Sequence, residues 1–285
     1  MPADPALMHS TSPPALQRVR GAARVRFVQR AEATRLADLE QSGSAKIRLP
    51  KTHDGVPVAV FLNTAGGLTG GDQLDFDAEV GDGARAIVTT QAAERVYKSP
   101  HGAATLDSRL RAGDGACLEW LPQETILFDR AELTRSFSAD LAPNAALLAV
   151  ESVVVGREAM GESVHALSFR DRWRIRRDGR LVFADEARIS GDATDILSGP
   201  ATAAGGRAFA TVIDCRPGAP DDLGKARALL DGLRGSGTAF RCGVSALTDC
   251  LVLRFVAETG QDMREGLVAF LETWRGTALP RTWYC

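Results

Sequence analysis

The sequence predicts a mainly β protein of stacked β-hairpin layers, similar to a β-helix, with a few α-helices, two of them in the C-terminal third. Two observations support this prediction: a turn tetrapeptide that recurs after 32 residues, and alternating polar and apolar residues ahead of each copy. The chain has 285 residues, of which 45% are hydrophobic and 25% charged. This composition is typical of a globular protein with a substantial core.

The repeat begins at Gly81-Asp82-Gly83-Ala84 and returns at Gly113-Asp114-Gly115-Ala116, with a weaker copy from Pro143-Asn144. Alternation before each copy is typical of half-buried strands, and the turn residues predict hairpins. Because one hairpin cannot bury its own apolar face, the recurrence predicts layers that stack, with Ile87-Val88 beside Leu118–Leu121. The alternative is that a common turn sequence recurs by chance.

Other strands and two helices follow from the same kind of pattern. An alternating pair on either side of Asp178-Gly179 predicts a further hairpin, and apolar residues at helical spacing predict two helices in the last third. Gly276 and Pro280 mark the end of the second helix. The further predicted strands lie at 23–28, 34–39, 56–62, 164–176, 181–189, 208–214, 239–245 and 251–256, and the predicted helices at 221–233 and 262–274.

The chain is expected to form one domain behind a short tail. Residues 1–20 are rich in Pro, Ala and Ser, and we predict that they form a disordered N-terminal tail. Residues 21–285 are expected to be a single domain, mostly β to about residue 190 and mixed α/β after about residue 207. The Gly-, Ala- and Ser-rich segment 196–206 is either a linker or a loop inside that domain, and we favour the loop.

Charge and cysteine usage exclude several classes of protein. Lys+Arg 34 and Asp+Glu 36 give a formal net charge of −2, so no overall field attracts nucleic acid or an anionic membrane. No apolar run is long enough to span a bilayer. Five cysteines without CxxC spacing indicate a reducing compartment, so we expect a cytoplasmic protein. The histidines are far apart and form no compact metal motif: His9, His53, His101 and His165.

The glycine-rich stretch 63–72 invites comparison with phosphate-binding loops. It fits neither a P-loop nor a dinucleotide fingerprint, because no Lys-Ser/Thr pair and no helix follow its glycines. Asp72 would also repel phosphate. The simpler interpretation is a tight loop that needs positive φ or a close approach of the backbone.

Carboxylates near the repeats are the other candidates for chemistry. Gln91 and Gln123 occupy the same offset in two copies, and Glu94 and Glu124 lie just beyond them. In stacked layers such residues line up into a polar column, and oxygen ligands can hold a divalent ion loosely. A solvated face or turn caps would explain the same residues. Two further alternatives are a carboxylate-dependent hydrolase on a β-solenoid, using Glu119 and Glu124, and a structural scaffold that binds only proteins.

Three long segments, at 63–72, 89–99 and 118–128, resemble the signatures of the UreD family of urease accessory proteins, also called UreH. They come in the order and spacing of the family, and the chain closes on a similar Pro280-Arg281-Thr282-Trp283. Arg130 departs from the pattern, since a small residue is expected there. The motif residues are Gly66, Gly67, Gly70, Gly71, Asp72, Gln91, Tyr97, Trp120 and Pro122.

The resemblance implies a non-enzymatic maturation factor, a chaperone for nickel insertion without catalytic residues. Members of the family bind apo-urease, join the accessory proteins UreF and UreG, and help deliver nickel to the urease active site. The resemblance also implies a mostly β fold with an internal tunnel. No tightly bound cofactor is implied, only transient nickel. A conduit without a Cys/His cage fits this role, because nickel must be released quickly.

We expect Glu94, Gln123 and Glu124, with Glu119 nearby, to belong to a polar interior column on the path of transient nickel. Buried carboxylates need hydrogen bonds, water or an arginine as partner. Arg95 is the nearest arginine to Glu94 in sequence, but neighbouring strand residues point to opposite faces. The predicted partner is therefore an arginine distant in sequence.

Overall fold

The computed structural model describes residues 18–52, 55–157, 161–235 and 239–284. The predicted tail at 1–20 lies outside the described residues up to residue 17, and Arg20 is the first residue of a strand. The strands are β1 Arg20–Arg30, β2 Ala33–Gly43, β3 Ala45–Arg48, β4 Val58–Asn63, β5 Gln73–Val80, β6 Arg85–Thr90, β7 Glu94–Val96, β8 Ala104–Ala112, β9 Cys117–Leu121, β10 Thr125–Leu127, β11 Glu132–Leu141, β12 Ala146–Val155, β13 Leu167–Arg177, β14 Arg180–Gly191, β15 Ala208–Asp214, β16 Phe240–Ala246 and β17 Leu251–Ala257. The helices are α1 Ala193–Ser198, α2 Leu223–Gly235 and α3 Gly260–Arg275.

The strands form two large sheets that face each other. One has seven strands in the order β14-β13-β11-β8-β5-β1-β2, and the other follows the order β16-β17-β15-β12-β9-β6-β4-β3, with β7 and β10 joined to it through β12. The central strands of both sheets are parallel, as in β5–β8–β11 and β6–β9–β12. The predicted fold class, mainly β with stacked β-helix-like layers and a few helices, is confirmed.

The repeated turns connect the two sheets, and they do not form the hairpins that we predicted. Strands β5 and β6 belong to different sheets, as do β8 and β9, and β11 and β12. Each strand pairs instead with the equivalent strand of the next layer, so that Val80 is opposite Ala112. The predicted adjacency of Ile87-Val88 and Leu118–Leu121 is confirmed, because β6 pairs with β9. Only the pair β13–β14, around Asp178-Gly179, is the antiparallel hairpin that its sequence predicts.

Hydrogen bonds join the repeated turns into a ladder. Asp114 N donates to Asp82 Oδ1 at 2.8 Å, and Gly83 N donates to Asp114 O at 2.8 Å. Asn144 repeats the contact one layer on, because its Nδ2 donates to Asp114 Oδ1 at 3.0 Å. The weaker third copy is therefore a genuine member of the repeat.

Aromatic rings run through the core between the two sheets. Trp120 lies 6.3 Å from Phe61 on one side and 6.3 Å from Phe137 on the other, measured between ring centroids. Trp173 continues the run, 4.4 Å from Phe137. Each ring occupies an inward position of an alternating strand, which is why period-two patterning places them together.

Helices α2 and α3 cover the outer face of the second sheet. A separate apolar cluster lies there, in which Phe270 of α3 packs 5.6 Å from Phe255 of β17. Thr259 caps α3 by accepting a hydrogen bond from Asp262 N at 3.0 Å, and Gly276 ends it with φ of 70°. None of the helices in the described ranges has the length and apolar character needed to cross a membrane.

We predict that Gly113→Ala lowers the free energy of unfolding by about 1–3 kcal/mol. A Cβ at this position would lie 2.7 Å from the backbone nitrogen of Asp82, so the turn ladder would have to open. Chemical denaturation followed by circular dichroism measures the change. Gly232→Ala, in open space on α2, is the matched control and should raise stability by about 0.5–1 kcal/mol. Equal effects of the two substitutions would contradict the stacked-turn argument.

Candidate functional site

Three charged side chains are buried between the two sheets, and we call them the buried ion cluster. They are Arg135 on β11, Glu151 on β12 and Asp171 on β13, and they are 1%, 6% and 5% exposed. Arg135 Nη1 lies 2.6 Å from Glu151 Oε2, Nη2 lies 2.7 Å from Asp171 Oδ2, and Nε donates to Asp171 Oδ1 at 2.9 Å. One guanidinium thus joins strands of both sheets.

Two indoles complete the hydrogen bonding of the carboxylates. Trp120 Nε1 donates to Glu151 Oε1 at 2.8 Å, and Trp173 Nε1 donates to Asp171 Oδ2 at 3.3 Å. Burial raises the pKa of Glu151, although the guanidinium of Arg135 opposes the shift. Burial alone would lower the pKa of Arg135, but Asp171 and Glu151 raise it above its usual value. The guanidinium therefore stays charged inside the protein.

A cavity of about 110 Å³ adjoins the buried ion cluster. Its lining includes Arg135, Glu151 and Asp171, and also Asp185 and Arg254. Asp185 Oδ2 lies 2.7 Å from Arg254 Nη2, and these two side chains are 31% and 45% exposed. The lining therefore runs from fully buried charges to charges in contact with solvent.

The sequence prediction missed this cluster, although it contains a signal for it. Arg135 occupies an inward position of β11, between Leu133 and Phe137, where alternation predicts an apolar residue. Glu151 interrupts the inward series of β12 in the same way, ahead of Val153. A charge at a core position of an alternating strand indicates a buried partner, but the pattern does not say which residue that partner is.

A second cavity, of about 200 Å³, contains the predicted site residue Glu94. Phe61, Asn63, Gly67 and Phe76 are among the residues that line it. Burial raises the pKa of Glu94 from 4.5 to about 7, while the hydrogen bond from Asn63 Nδ2, at 3.0 Å, opposes the shift. The carboxyl group therefore exchanges its proton near neutral pH.

Strand pairing connects the surroundings of the two cavities. Glu94 on β7 is opposite Thr125 on β10. Thr125 Oγ1 accepts a hydrogen bond from Arg135 Nη1 at 3.1 Å, which joins this position to the buried ion cluster. Polar side chains therefore follow one another through the space between the sheets, and we call this set the polar row: Asn63, Glu94, Thr125, Arg135, Glu151 and Asp171.

The other predicted site residues contact helix α3. Gln123 Oε1 accepts from Arg264 Nη1 at 2.6 Å, and Glu124 Oε2 lies 3.3 Å from the same nitrogen. Glu119 Oε2 lies 2.7 Å from Arg275 Nη2. The prediction that a distant arginine would pair with these carboxylates is confirmed for Glu119 and Glu124.

The predicted alignment of Glu94 with Glu124 in one interior column is wrong. Thr89 pairs with Leu121, 32 residues on, whereas Glu94 pairs with Thr125, 31 residues on. The offset changes by one residue in the irregular segment between the strands. Because successive strand residues point to opposite faces, this change leaves Glu94 in the interior and turns Glu124, like Gln123 before it, toward α3.

The glycine-rich stretch 63–72 is the tight loop that its composition predicts. Gly66 and Gly71 have φ of 78° and 84°, and a Cβ on Gly67 or Gly70 would lie 2.7 Å from a backbone carbonyl oxygen. Asp72 is 2% exposed, and its two oxygens each accept a backbone N–H at 2.8 Å, from residues 19 and 69. The carboxylate therefore fixes the loop and the first strand.

The remaining motif residues have structural surroundings. Trp120 belongs to the core, as predicted, and Pro122 is buried beside it in sequence. Tyr97 donates its hydroxyl to Gly66 O at 3.3 Å, and Gln91 is exposed. Arg130 has φ of 61°, which explains why a small residue is expected there.

Metal-binding residue types are scattered in the part of the chain that the structure describes. No three His, Cys, Asp or Glu side chains of these residues lie close enough together to hold a metal ion. The four described cysteines are free thiols. Three of the residues weighed above lie outside the described ranges: His9, His53 and Cys285.

We predict that Arg135→Ala lowers the free energy of unfolding by about 3–5 kcal/mol, because it leaves two buried carboxylates without their cation. Arg135→Lys keeps the charge but loses the fork of donors, and its stability should fall between the two. Chemical denaturation, or the soluble fraction after expression, reads the effect. Arg109→Ala is the control: this exposed arginine contacts Asp75 at 2.9 Å, and its loss should cost less than about 1 kcal/mol. A similar cost for both alanine variants would contradict the assignment.

We predict that Glu94 makes folding stability depend on pH. Because its pKa is raised to about 7, the folded chain binds this proton more tightly than the unfolded chain, and stability falls as pH rises from about 4.5 to about 7. Glu94→Gln should therefore be more stable than the native chain by about 1–3 kcal/mol at pH 8, and by less than about 1 kcal/mol at pH 5. Urea unfolding at both pH values measures this. A difference that does not change with pH would refute it.

Comparison with known proteins identifies relatives along most of the chain. The sequence profile of the family described as UreD urease accessory protein matches residues 19–284. The urease accessory protein UreD of Chelativorans sp. (strain BNC1) is 44% identical over 273 residues, which cover 95% of this chain and 96% of that protein. UreD of Rhizobium etli is 47% identical over 251 residues, with 88% and 89% covered, and UreD 2 of Methylorubrum populi is 42% identical over 275 residues, with 95% and 92% covered. With the profile and these relatives each matching nearly the whole length, the chain belongs to the UreD family of urease accessory proteins.

Proposed function

We propose that this chain is a nickel-insertion chaperone that binds apo-urease together with UreF and UreG and helps pass nickel into the urease active site. Membership of the UreD family supports a role in urease maturation. Nickel is the cargo of this protein, and the role requires no catalytic residue. The proposal places the chain in the cytoplasm, where its free cysteines remain reduced.

The observation that carries the nickel-passing step is the Glu94 carboxylate inside its cavity. Oxygen ligands hold a borderline ion such as nickel more loosely than imidazole or thiolate do. Because the pKa of Glu94 is about 7, a proton and a cation compete for this carboxylate near neutral pH. A single carboxylate of this kind favours brief binding followed by release.

The polar row supports passage beyond this first carboxylate. It leads from Asn63 and Glu94 to Glu151 and Asp171, whose cavity is also lined by the partly exposed Asp185. Arg135 offsets one of the two negative charges of the buried ion cluster and leaves a net attraction for cations. Fixed charges in an interior of low dielectric act more strongly than they do in water.

The contacts of Glu119 and Glu124 favour this role over the carboxylate-dependent hydrolase. Glu119 pairs with Arg275 and Glu124 with Arg264, so helix α3 occupies both carboxylates. A purely structural scaffold that binds only proteins is the remaining alternative. It differs in one observable, because interior carboxylates would then be needed for stability alone.

We predict that Glu94→Gln lowers urease activation and the nickel content of urease several-fold, while UreF and apo-urease still co-purify with the chain. The substitution keeps the shape of the side chain and its acceptor for Asn63, but removes the charge. The full chain is co-expressed with the urease subunits, UreF and UreG. The readouts are urease activity, nickel per active site, and the recovery of each partner on the tagged chain.

Glu124→Gln is the matched control for this experiment. It removes the same charge one layer away, from a side chain that contacts Arg264 on α3 and not the interior. Normal activation by Glu94→Gln would sink the nickel-passing role of this residue. Loss of the partners from Glu94→Gln would assign Glu94 to the fold or to an interface. If the native chain itself recovers neither partner, the whole proposal fails.

A further inference from the structure

The outward face of the β13–β14 hairpin carries a concentration of positive charge. Outward positions alternate along β13, and the pairing with β14 places Arg188 beside Arg170 and Glu186 beside Arg172. Five arginines therefore stand on this face against one glutamate. We call them the arginine band: Arg170, Arg172, Arg174, Arg176 and Arg188.

Most of this charge is not neutralised within the chain. Arg170 and Arg172 share Glu186, at 2.9 and 3.3 Å. For Arg176 and Arg188 no ion pair is formed with any residue that the structure describes. The side chains of Arg170 and Arg172 remain 46% and 42% exposed, so their guanidinium groups are held in place but still reach solvent.

The same sheet face changes sign a short distance away. Strand β11, which follows β13 in the sheet, presents neutral hydroxyls such as Thr134 and Ser138. Beyond it, β5 and β8 present an acidic band in which Arg109 only partly offsets the carboxylates. The acidic band consists of Asp75, Asp77, Glu79 and Asp107.

We propose that the arginine band is a docking surface for a protein partner that presents an acidic strip, an inference that rests on the proposed function for its candidate partners. Guanidinium groups bind carboxylates through two parallel hydrogen bonds. Arginines at every second residue of a strand are about 6.6–6.8 Å apart, a spacing that carboxylates of an extended segment can match.

The neighbouring charges favour a protein over a nucleic acid or an anionic membrane. A long polyanion laid on this flat sheet face would also meet the acidic band, which repels it. The formal net charge of −2 gives no general attraction for such a partner. A protein surface can match a basic band beside an acidic one, and complementary potentials of this kind determine specificity.

The chain offers a closely matched control for the test. Arg24 and Arg26 on β1 stand two residues apart and share Glu79, at 3.5 and 2.9 Å, as Arg170 and Arg172 share Glu186. Their side chains are 44% and 47% exposed. The double variants Arg170→Gln with Arg172→Gln, and Arg24→Gln with Arg26→Gln, therefore remove equal charge from equivalent surroundings at two places.

The affinity of each full-length variant for purified apo-urease and for UreF is measured over a range of salt concentrations. We expect the band variant to bind one of these partners about tenfold more weakly and with a smaller salt dependence. The β1 variant should stay within about twofold of the native chain. Equal thermal midpoints establish that both variants fold.

Two results would overturn the inference. One is native affinity of the band variant for both partners while the native chain binds them, which leaves the proposed function intact. The other is tight binding of the native chain to duplex DNA or to phosphatidylserine-containing vesicles at about 0.15 M salt, abolished in the band variant. A native chain that binds neither partner overturns the proposed function, and this inference with it.

Discussion

Parallel pairing between consecutive layers is the constraint on which the rest of the structure depends. Strands of one layer belong to different sheets, so each finds its hydrogen-bond partners only in the layers before and after it. Stability in such an arrangement comes from nearest-neighbour interfaces, as in other repeat proteins. The turn ladder through Asp82, Asp114 and Asn144 and the aromatic run through Trp120 both exist because the layers are aligned residue by residue.

Charge inside this stack is tolerated because its hydrogen bonding is complete. Both oxygens of Glu151 and both oxygens of Asp171 have donors, from Arg135 and from the indoles of Trp120 and Trp173. An unpaired charge at this depth would cost several kcal/mol, whereas a satisfied cluster adds geometric specificity. The cluster also joins the two sheets at one guanidinium. Its position beside a cavity makes it part of a polar interior in an otherwise aromatic and aliphatic core.

Strand β13 contributes to the interior and to the surface at once. Its inward positions hold Asp171 and Trp173, which belong to the buried ion cluster and its hydrogen bonds, while Arg170 and Arg172 stand outward. A period of two residues permits this, because successive side chains leave the sheet on opposite sides. The interior can therefore be specialised for holding a cation briefly, and the exterior for an acidic partner, without competition for the same positions.

The sequence by itself determined the fold class, most strands, both long helices, and membership of the UreD family through its motifs. It also placed Trp120 in the core and identified 63–72 as a tight loop, because period-two patterning and glycine chemistry are local properties. Only the tertiary structure decided that the Gly-Asp-Gly turns cross between sheets, since a turn reverses the chain without choosing a pairing partner. It alone separated Glu94 from Glu124, because a one-residue change of offset in an irregular segment decides which face a side chain takes. It alone assembled the buried ion cluster, because Arg135 meets partners 16 and 36 residues away, and layer stacking sets such distances.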